Sequence, residues 1–204
     1  MSSSLSVFLV DPARLNALVG AADPHLLREL EERLASRLES SDRWFSSEIE
    51  NGAPTAAEAL RALVDGGPYS ADREHAFRYG YAYEQLCSVA GWRLDNSSFS
   101  PFRGSWLDEV DQGLKALGVS AVSVSDFFYG SALPAGVPTP ETYPCCDEWS
   151  HAACVTALEQ FEQGRRDGLA PDLDREVAEA ASQVVSWLRR AVRTPDLVVI
   201  GFFY

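Results

Sequence analysis

Eight consecutive apolar residues, LVVIGFFY, occupy positions Leu197 to Tyr204. A strand of this composition left exposed at a sheet edge would invite aggregation, so we expect the segment to be buried. Alternate residues of a strand point to opposite faces, and here both faces are apolar, which is typical of a central or helix-covered strand. Its natural neighbour is the apolar run Leu5–Val10, so the sequence predicts that these two terminal strands pair in one sheet.

Helical signals fill much of the chain between these segments. An aspartate precedes Pro12 and another precedes Pro24, which is the pattern of an N-cap followed by a first-turn proline. Helices should therefore begin at both prolines. The Thr55-x-x-Glu58 capping box predicts a further helix start, and that helix should stop at Gly66.

The remaining pattern predicts an α+β fold. Helices are expected over about residues 71–90 and from Ser105 to just before Gly118. A further helix should end at about Gly164, and a long helix should follow in DLDREVAEAASQVVSWLRRAV. Gly80 in mid-helix costs about 1 kcal/mol relative to alanine, so we expect another backbone to pass close to it. The alternating SAVSVSDFFYG predicts an internal strand, followed by a proline-rich loop. The sum is a small sheet that includes both terminal strands and is covered by about seven helices.

Length and composition indicate one folded domain over residues 1–204. A chain of 204 residues buries roughly 70% of its unfolded surface, so it needs no metal or disulfide to support its core. The start, MSSSLSVFLVDP, lacks the basic region of a secretory signal, and no apolar run approaches the roughly 20 residues that span a bilayer. The four cysteines do not form a spaced disulfide framework. We therefore expect a soluble cytoplasmic protein with no membrane partner.

The distribution of charge favours a basic partner. A net charge of −13 argues against nucleic-acid binding, which requires clustered lysine and arginine. The segment between Gly104 and Gln163 contains nine acidic residues and only one lysine or arginine, Lys115. This acidic segment is either a solvated surface or a face that steers a basic protein. The candidate binding carboxylates in it are Asp108, Asp111, Glu141 and Glu148.

The segment YPCCDEWSHAAC, residues 143–154, raises the question of a metal site. Cys146, His151 and Cys154 are weak candidate ligands, because zinc usually takes two pairs of ligands and no second pair exists. Cys154 also has the spacing of a helix core face. We predict no metal and no cofactor, and a loop-to-helix junction capped by Asp147 or Ser150. Cys146 near a helix N-terminus has suitable electrostatics for a nucleophile, but no base is identifiable.

A second candidate site lies on the tyrosine-rich helix. Glu84 is expected to be half-buried among aromatic rings, with Arg103 or Arg78 as its partner. A buried Glu–Arg pair is usually structural. The functional alternative is a shallow pocket lined by Tyr79, Tyr83, Glu84 and Arg103.

The order of several segments resembles a family of uncharacterised bacterial domains, a domain of unknown function. The similarity rests on FLVDPARLNALVG, YGYAYEQLC, FSPFRGSWLDEVDQGLKALGV, YPCCDEWS and the closing VVSWLRRAV and LVVIGFFY. The closing helix and strand are also similar to those of YfbM-like proteins. This resemblance implies a single α+β domain and a cytoplasmic location, and it implies no activity or catalytic residue.

Two functions remain open at this point. The first is an acidic, soluble protein-interaction module of immunity or inhibitor type that engages a basic partner. The second is a small-molecule-binding or enzymatic domain with a pocket near the tyrosine-rich helix. The sequence contains no GxSxG, HExxH, P-loop or GxGxxG pattern, so no catalytic residue is assigned.

Overall fold

The structure, a computed structural model, describes residues 2–204. Among these residues it contains nine α-helices, seven of them at least seven residues long, and four strands. The helices are α1 (Pro12–Leu18), α2 (Pro24–Trp44), α3 (Ser46–Glu50), α4 (Ala56–Asp65), α5 (Ala76–Ala90), α6 (Trp106–Ala116), α7 (Asp126–Tyr129), α8 (His151–Arg166) and α9 (Arg175–Val192). The strands are β1 (Leu5–Val10), β2 (Gly91–Arg93), β3 (Cys145–Trp149) and β4 (Val198–Phe203). This composition confirms the predicted α+β fold.

The chain divides into two compact units. Unit 1 consists of residues 2–12, Gly91–Ala132 and Cys145–Tyr204, and unit 2 consists of Ala13–Ala90 and Leu133–Pro144. Unit 1 contains the sheet, and unit 2 is built from helices and the proline-rich loop. The single domain expected over residues 1–204 stays a prediction.

The sheet of unit 1 is antiparallel throughout, in the order β2-β1-β4-β3. The two terminal strands pair along their full length, from Leu5 opposite Phe203 to Val10 opposite Val198. All six residues of β4 are buried, because the strand has a neighbour on each side and apolar groups on both faces. The predicted pairing of the two terminal strands is confirmed.

Helices complete the core of unit 1. Helix α9 packs against α6, α8 and β4, and its Trp187 is fully buried. The indole N–H of Trp187 donates a 2.6 Å hydrogen bond to the backbone carbonyl of Asp95. Close to the sheet, a Cβ at Gly201 would lie 2.4 Å from the ring of Phe127, so β4 requires a residue without a side chain there. Phe127 in turn stacks on Trp149, with ring centroids 4.5 Å apart.

The internal strand was predicted in the wrong place. The residues of SAVSVSDFFYG form turns and then the short helix α7, whereas the internal strands are the short β2 and β3, and β3 lies in the segment predicted to be a loop-to-helix junction. Val122 and Val124 are buried as in a strand, but the chain turns here around the carboxylate of Asp111. The junction is therefore strand-to-helix, and Ser150 caps α8 by accepting a 3.2 Å hydrogen bond from the N–H of Ala153.

The helices of unit 2 begin where local signals placed them. The carboxylate of Asp23 accepts a 2.8 Å bond from the N–H of His25 at the start of α2. Thr55 and Glu58 form the complete capping box of α4, which ends at Gly66 with a φ of 75°. Helix α4 packs against both α2 and α5. These helix starts are confirmed because each depends on residues within one turn.

Gly80 of α5 permits a close approach within unit 2. A Cβ at this position would lie 2.7 Å from Cγ of Pro144 and 3.3 Å from Cγ of Pro140. The expectation of a close neighbour is correct, although proline rings of the loop approach the helix, not a backbone. The proline-rich loop therefore packs directly on α5. Among the described residues, no helix is both long enough and apolar enough to cross a membrane.

Candidate functional site

The predicted acidic residues are placed differently by the fold. Asp108 on α6 and Glu148 on β3 are exposed in unit 1. Glu141 is exposed on the proline-rich loop and belongs to unit 2. Asp111 is only 6% exposed. The four candidates thus comprise three surface carboxylates and one buried carboxylate.

The buried carboxylate of Asp111 organises a turn. It accepts hydrogen bonds from the N–H of Val124 at 2.7 Å and the N–H of Ser125 at 3.1 Å, and also from the hydroxyl of Ser123. A buried carboxylate without such donors would be costly, so these bonds explain how the charge is tolerated. Asp111 therefore holds the segment before α7, and its oxygens are already occupied.

Further carboxylates of unit 1 lie near one another around β3 and α7. Burial raises the pKa of Asp126; a hydrogen bond from the backbone of Ser123 opposes that rise, and the nearby charge of Asp147 adds to it. Partial burial and then the charge of Asp147 likewise raise the pKa of Glu148. Asp147 also lies against the end of α7, because a Cβ at Gly130 would be 2.3 Å from its carboxylate. Like charges are thus concentrated on one part of unit 1.

No described arginine, lysine or histidine lies within ion-pair distance of these carboxylates. Among the described residues, neither Asp108, Asp126, Asp147 nor Glu148 forms a salt bridge. By contrast, Glu162 on α8 contacts both Arg165 at 3.4 Å and Arg189 at 3.2 Å. We call Asp108, Asp126, Asp147 and Glu148 the acidic face, a name for their shared charge, since the side chains of the successive β3 residues Asp147 and Glu148 point to opposite sides of the strand. Its negative charge is therefore not offset by a direct ion pair within the described chain.

The cysteine-rich segment has the properties of a core. Cys146 and Cys154 are 2% and 0% exposed, and both are free thiols. Burial raises the pKa of each to about 12. The electrostatics expected for a nucleophilic Cys146 are therefore wrong, because desolvation keeps this thiol protonated. Within residues 2–204, no group of three or more His, Cys, Asp or Glu side chains is arranged to hold a metal ion, including His151 with these cysteines.

The second set of predicted site residues is divided between the units. Tyr79 and Tyr83 are buried in unit 2, and the hydroxyl of Tyr79 accepts a 2.6 Å bond from the N–H of Ser70. Glu84 on the same helix is half-buried. Arg103 is exposed in unit 1, where it lines an open cavity of about 530 Å³. The pocket predicted from these four residues stays a prediction.

Arg78 was one of the two possible partners predicted for Glu84, and in the structure it pairs with another carboxylate. Its guanidinium is 1% exposed and pairs with Asp42 of α2. It also donates a 2.8 Å bond to the backbone carbonyl of Pro54. Burial lowers the pKa of Arg78, and the adjacent Asp42 opposes that effect. This buried ion pair is a structural element of unit 2.

Sequence reasoning missed an aromatic pocket in unit 2. A cavity of about 380 Å³ is lined by four rings, those of Phe45, Phe77, Tyr81 and Tyr143. Its charged lining consists of three glutamates and one arginine, which are Glu48, Glu74, Glu141 and Arg73. We call this cavity the aromatic pocket. The i,i+4 spacing of Phe77 and Tyr81 on the predicted helix was the one signal that pointed to it.

A larger groove of about 620 Å³ runs along α9 in unit 1. Gln183 fills part of its lining with internal bonds: its side chain donates to the Asp95 carboxylate at 2.6 Å and accepts from the N–H of Ser98 at 3.1 Å. These contacts tie the 95–98 segment to α9. The side chain of Gln183 therefore serves packing within unit 1.

Comparison with known proteins gives one family. No curated protein matches the chain, and no solved structure matches it. The family described as Domain of unknown function (DUF7691) matches residues 1–204, which is the entire sequence. The match covers both compact units and both terminal strands of the α+β architecture described above. This chain belongs to the DUF7691 family.

Proposed function

We propose that this protein is a soluble, acidic protein-interaction module of immunity or inhibitor type that engages a basic protein partner. The observation that carries the proposal is the acidic face of unit 1, whose carboxylates form no salt bridge with a described residue. Two of them, Asp126 and Glu148, have pKa values raised by burial and then by neighbouring negative charge. Holding like charges together costs free energy, which a basic partner would recover.

The position of these groups suits a steering role. Asp108 is exposed, and Glu148 also reaches the surface although its carboxylate is partly desolvated, so their charges act on an approaching partner before contact is made. Exposed charges mainly raise the association rate, and their effect is screened by salt. The proposal therefore includes a strong dependence of the association rate on ionic strength.

A second candidate function is small-molecule binding or catalysis near the tyrosine-rich helix. The observation in its favour is the aromatic pocket, since ring-lined cavities of roughly 300 to 1,000 Å³ commonly hold small ligands. Two of its rings, Phe77 and Tyr81, belong to α5. This candidate requires no basic protein partner.

Several further attributes belong to the same proposal. They are a bacterial origin, a cytoplasmic location, a C-terminal helix and strand of YfbM-like type, and the absence of nucleic-acid partners, cofactors and bound metal. The net charge of −13 supports the exclusion of nucleic acid.

The test first identifies whether a gene beside that of this chain encodes a basic protein, and then uses that protein as the binding partner. We expect it to bind the purified protein, and the double variant Asp108→Asn with Glu148→Gln to bind about tenfold more weakly at low salt. The salt dependence of binding should become shallower in the variant, because fewer charges are being screened. Both quantities are measured by surface plasmon resonance across a series of salt concentrations.

A matched control carries the same loss of charge elsewhere. Glu32→Gln with Asp65→Asn removes one glutamate and one aspartate from exposed positions of unit 2. This control should bind like the unsubstituted chain. Equal effects of the two double variants would show that only net charge matters and that the acidic face is ordinary solvated surface. A neighbouring set of biosynthetic genes with no basic binding partner would favour the second candidate.

A further inference from the structure

The aromatic pocket combines two features that favour an organic cation. Phe45, Phe77 and Tyr81 contact one another, with ring centroids 5.0 Å apart for the two phenylalanines and 4.9 Å apart for Phe45 and Tyr81. Tyr143 adds a fourth ring that is 42% exposed at the opening. The faces of such rings carry negative electrostatic potential and attract cations.

The charged lining has the sign that a cation requires. Glu48, Glu74 and Glu141 are all exposed, and none forms a salt bridge with a described residue. Only Arg73 opposes them in the lining. The carboxylates therefore leave the pocket with an excess of negative charge. Rings below and carboxylates at the rim form a complementary environment for a flat, positively charged group.

The same rings already accommodate a guanidinium from the interior. The central carbon of the Arg78 guanidinium lies 5.1 Å from the centroid of Phe45 and 5.9 Å from that of Phe77. Arg78 is 1% exposed, and its charge is balanced by Asp42. Phe45 and Phe77 are thus suited to stacking with guanidinium. Glu48 already acts on the charge of Arg78 together with Asp42, and Glu74 and Glu141 of the rim are available to a second cation.

The phenol of Tyr81 remains protonated and neutral in the aromatic pocket. Burial, together with the charge of Glu84, raises its pKa to about 12. The ring therefore stays an uncharged π surface at physiological pH. The charge of Glu84 adds to the negative potential around α5.

We propose that the aromatic pocket binds the guanidinium of an arginine side chain presented by a protein partner. The inference rests on the proposed function for the protein nature of the occupant and names the group that is recognised. Arginine suits the pocket better than lysine because its planar group stacks on rings and pairs with carboxylates through two parallel hydrogen bonds. Lysine carries a compact, strongly hydrated charge, which is costlier to remove from water.

The experiment titrates the full chain with three short peptides by calorimetry at low salt. The peptides are acetyl-Gly-Arg-Gly-amide, its lysine counterpart, and its citrulline counterpart, which keeps the shape of arginine without the charge. The arginine peptide should bind about tenfold more tightly than the citrulline peptide and several-fold more tightly than the lysine peptide. Equal binding of arginine and citrulline peptides, or tighter binding of the lysine peptide, would overturn the proposal. So would tighter binding of choline, a small cation that needs no protein partner.

Variants then localise the binding. Glu74→Gln with Glu141→Gln removes two exposed rim charges and should weaken binding of the arginine peptide about tenfold. The acidic-face variant Asp108→Asn with Glu148→Gln removes the same charge and should leave the affinity unchanged. Equal weakening by both variants would mean that the peptide responds to net charge alone, and the pocket assignment would be lost. Thermal melts of both variants check that the fold is retained.

The two proposals fail in distinguishable ways. If the adjacent basic protein does not bind while the arginine peptide still depends on the rim glutamates, the proposed function fails and the pocket assignment stands. If that protein binds through the acidic face with an affinity that Glu74→Gln and Glu141→Gln do not alter, and the peptide does not bind, the pocket assignment fails and the proposed function stands.

Discussion

The Arg78 guanidinium and the Asp42 carboxylate form an ion pair in unit 2, in which Arg78 is almost completely buried and Asp42 is partly exposed. The pair connects α5 to α2. The guanidinium also bonds the backbone carbonyl of Pro54, and the same carboxylate oxygen of Asp42 accepts a 2.7 Å bond from the N–H of Ala56. One buried charge therefore fixes three separate parts of the chain.

Removing either partner should destabilise the protein strongly. We expect Arg78→Met and Asp42→Asn each to lower the free energy of unfolding by about 3 to 5 kcal/mol, because each leaves buried polar groups without a partner. The measurement is chemical denaturation. Arg43→Met is the matched control, since the pair of Arg43 with Glu39 at 2.9 Å is exposed and should contribute only about 0.5 kcal/mol. Similar losses for Arg78→Met and Arg43→Met would contradict a structural role for the buried pair.

Gly80 provides a test in which two effects have opposite signs. Helix propensity alone predicts that Gly80→Ala stabilises α5 by about 1 kcal/mol. The added Cβ would lie 2.7 Å from Pro144, however, so we expect a net loss of about 1 to 3 kcal/mol from overpacking. Ser36→Ala at an exposed position of α2 serves as the control and should be neutral or slightly stabilising. A stabilised Gly80→Ala protein would show that the loop moves away from the helix at little cost.

The features that could be predicted from the sequence have local causes. The caps at Asp23, Thr55 and Ser150 are made with residues two or three positions away, so a short window contains all the necessary information. The terminal strands were predictable for a different reason. An apolar segment with two apolar faces, such as β4, has few places in a fold other than between two strands.

The features that were missed depend on contacts distant in sequence. Alternation around Val122 and Val124 resembles a strand, but Asp111, more than ten residues earlier, supplies the acceptor that turns the chain. Cys145–Trp149 lacks a strong strand pattern and becomes β3 because β4 offers it a free edge. The aromatic pocket likewise joins rings from the region after α2, from α5 and from the proline-rich loop. No local pattern contains these combinations.

The buried thiols predict a loss of stability at alkaline pH. Burial raises the pKa of Cys146 and Cys154 from 9.0 to about 12 in the folded protein. Because the folded pKa lies above the unfolded value, this contribution to stability is complete below pH 9 and is lost progressively as the pH rises toward 12. Each thiol contributes on the order of 4 kcal/mol to that decline.

The thiol prediction is measured by denaturation at a series of pH values. The unfolding free energy of Cys154→Ala should fall less steeply above pH 9 than that of the unsubstituted chain, although the variant starts from a lower value because a cavity is created. Thiol-reactive dye at pH 8 should label Cys146 and Cys154 only slowly in the native state and rapidly in denaturant. Rapid native labelling of either residue would indicate a thiolate that the burial does not permit.

The central position of β4 predicts that removing this strand causes the largest loss of stability. Truncation after Asp196 removes Leu197 and all of β4, and leaves β1 and β3 with unpaired edges in unit 1. Burying side chains such as Val199, Ile200 and Phe202 stabilises the fold by about 1.5 to 3 kcal/mol each. Losing this burial would therefore remove most of the roughly 5 to 15 kcal/mol stability of a typical domain. We expect the truncated chain to be insoluble, or to lack a cooperative melt by circular dichroism.

Removing Tyr204 alone is the control for the truncation. This residue follows β4 and bonds Ser4 through its backbone, so its loss should lower the melting temperature without abolishing folding. A soluble truncated protein that melts cooperatively near the full-length temperature would mean that β4 is dispensable and that the sheet does not organise the core of unit 1.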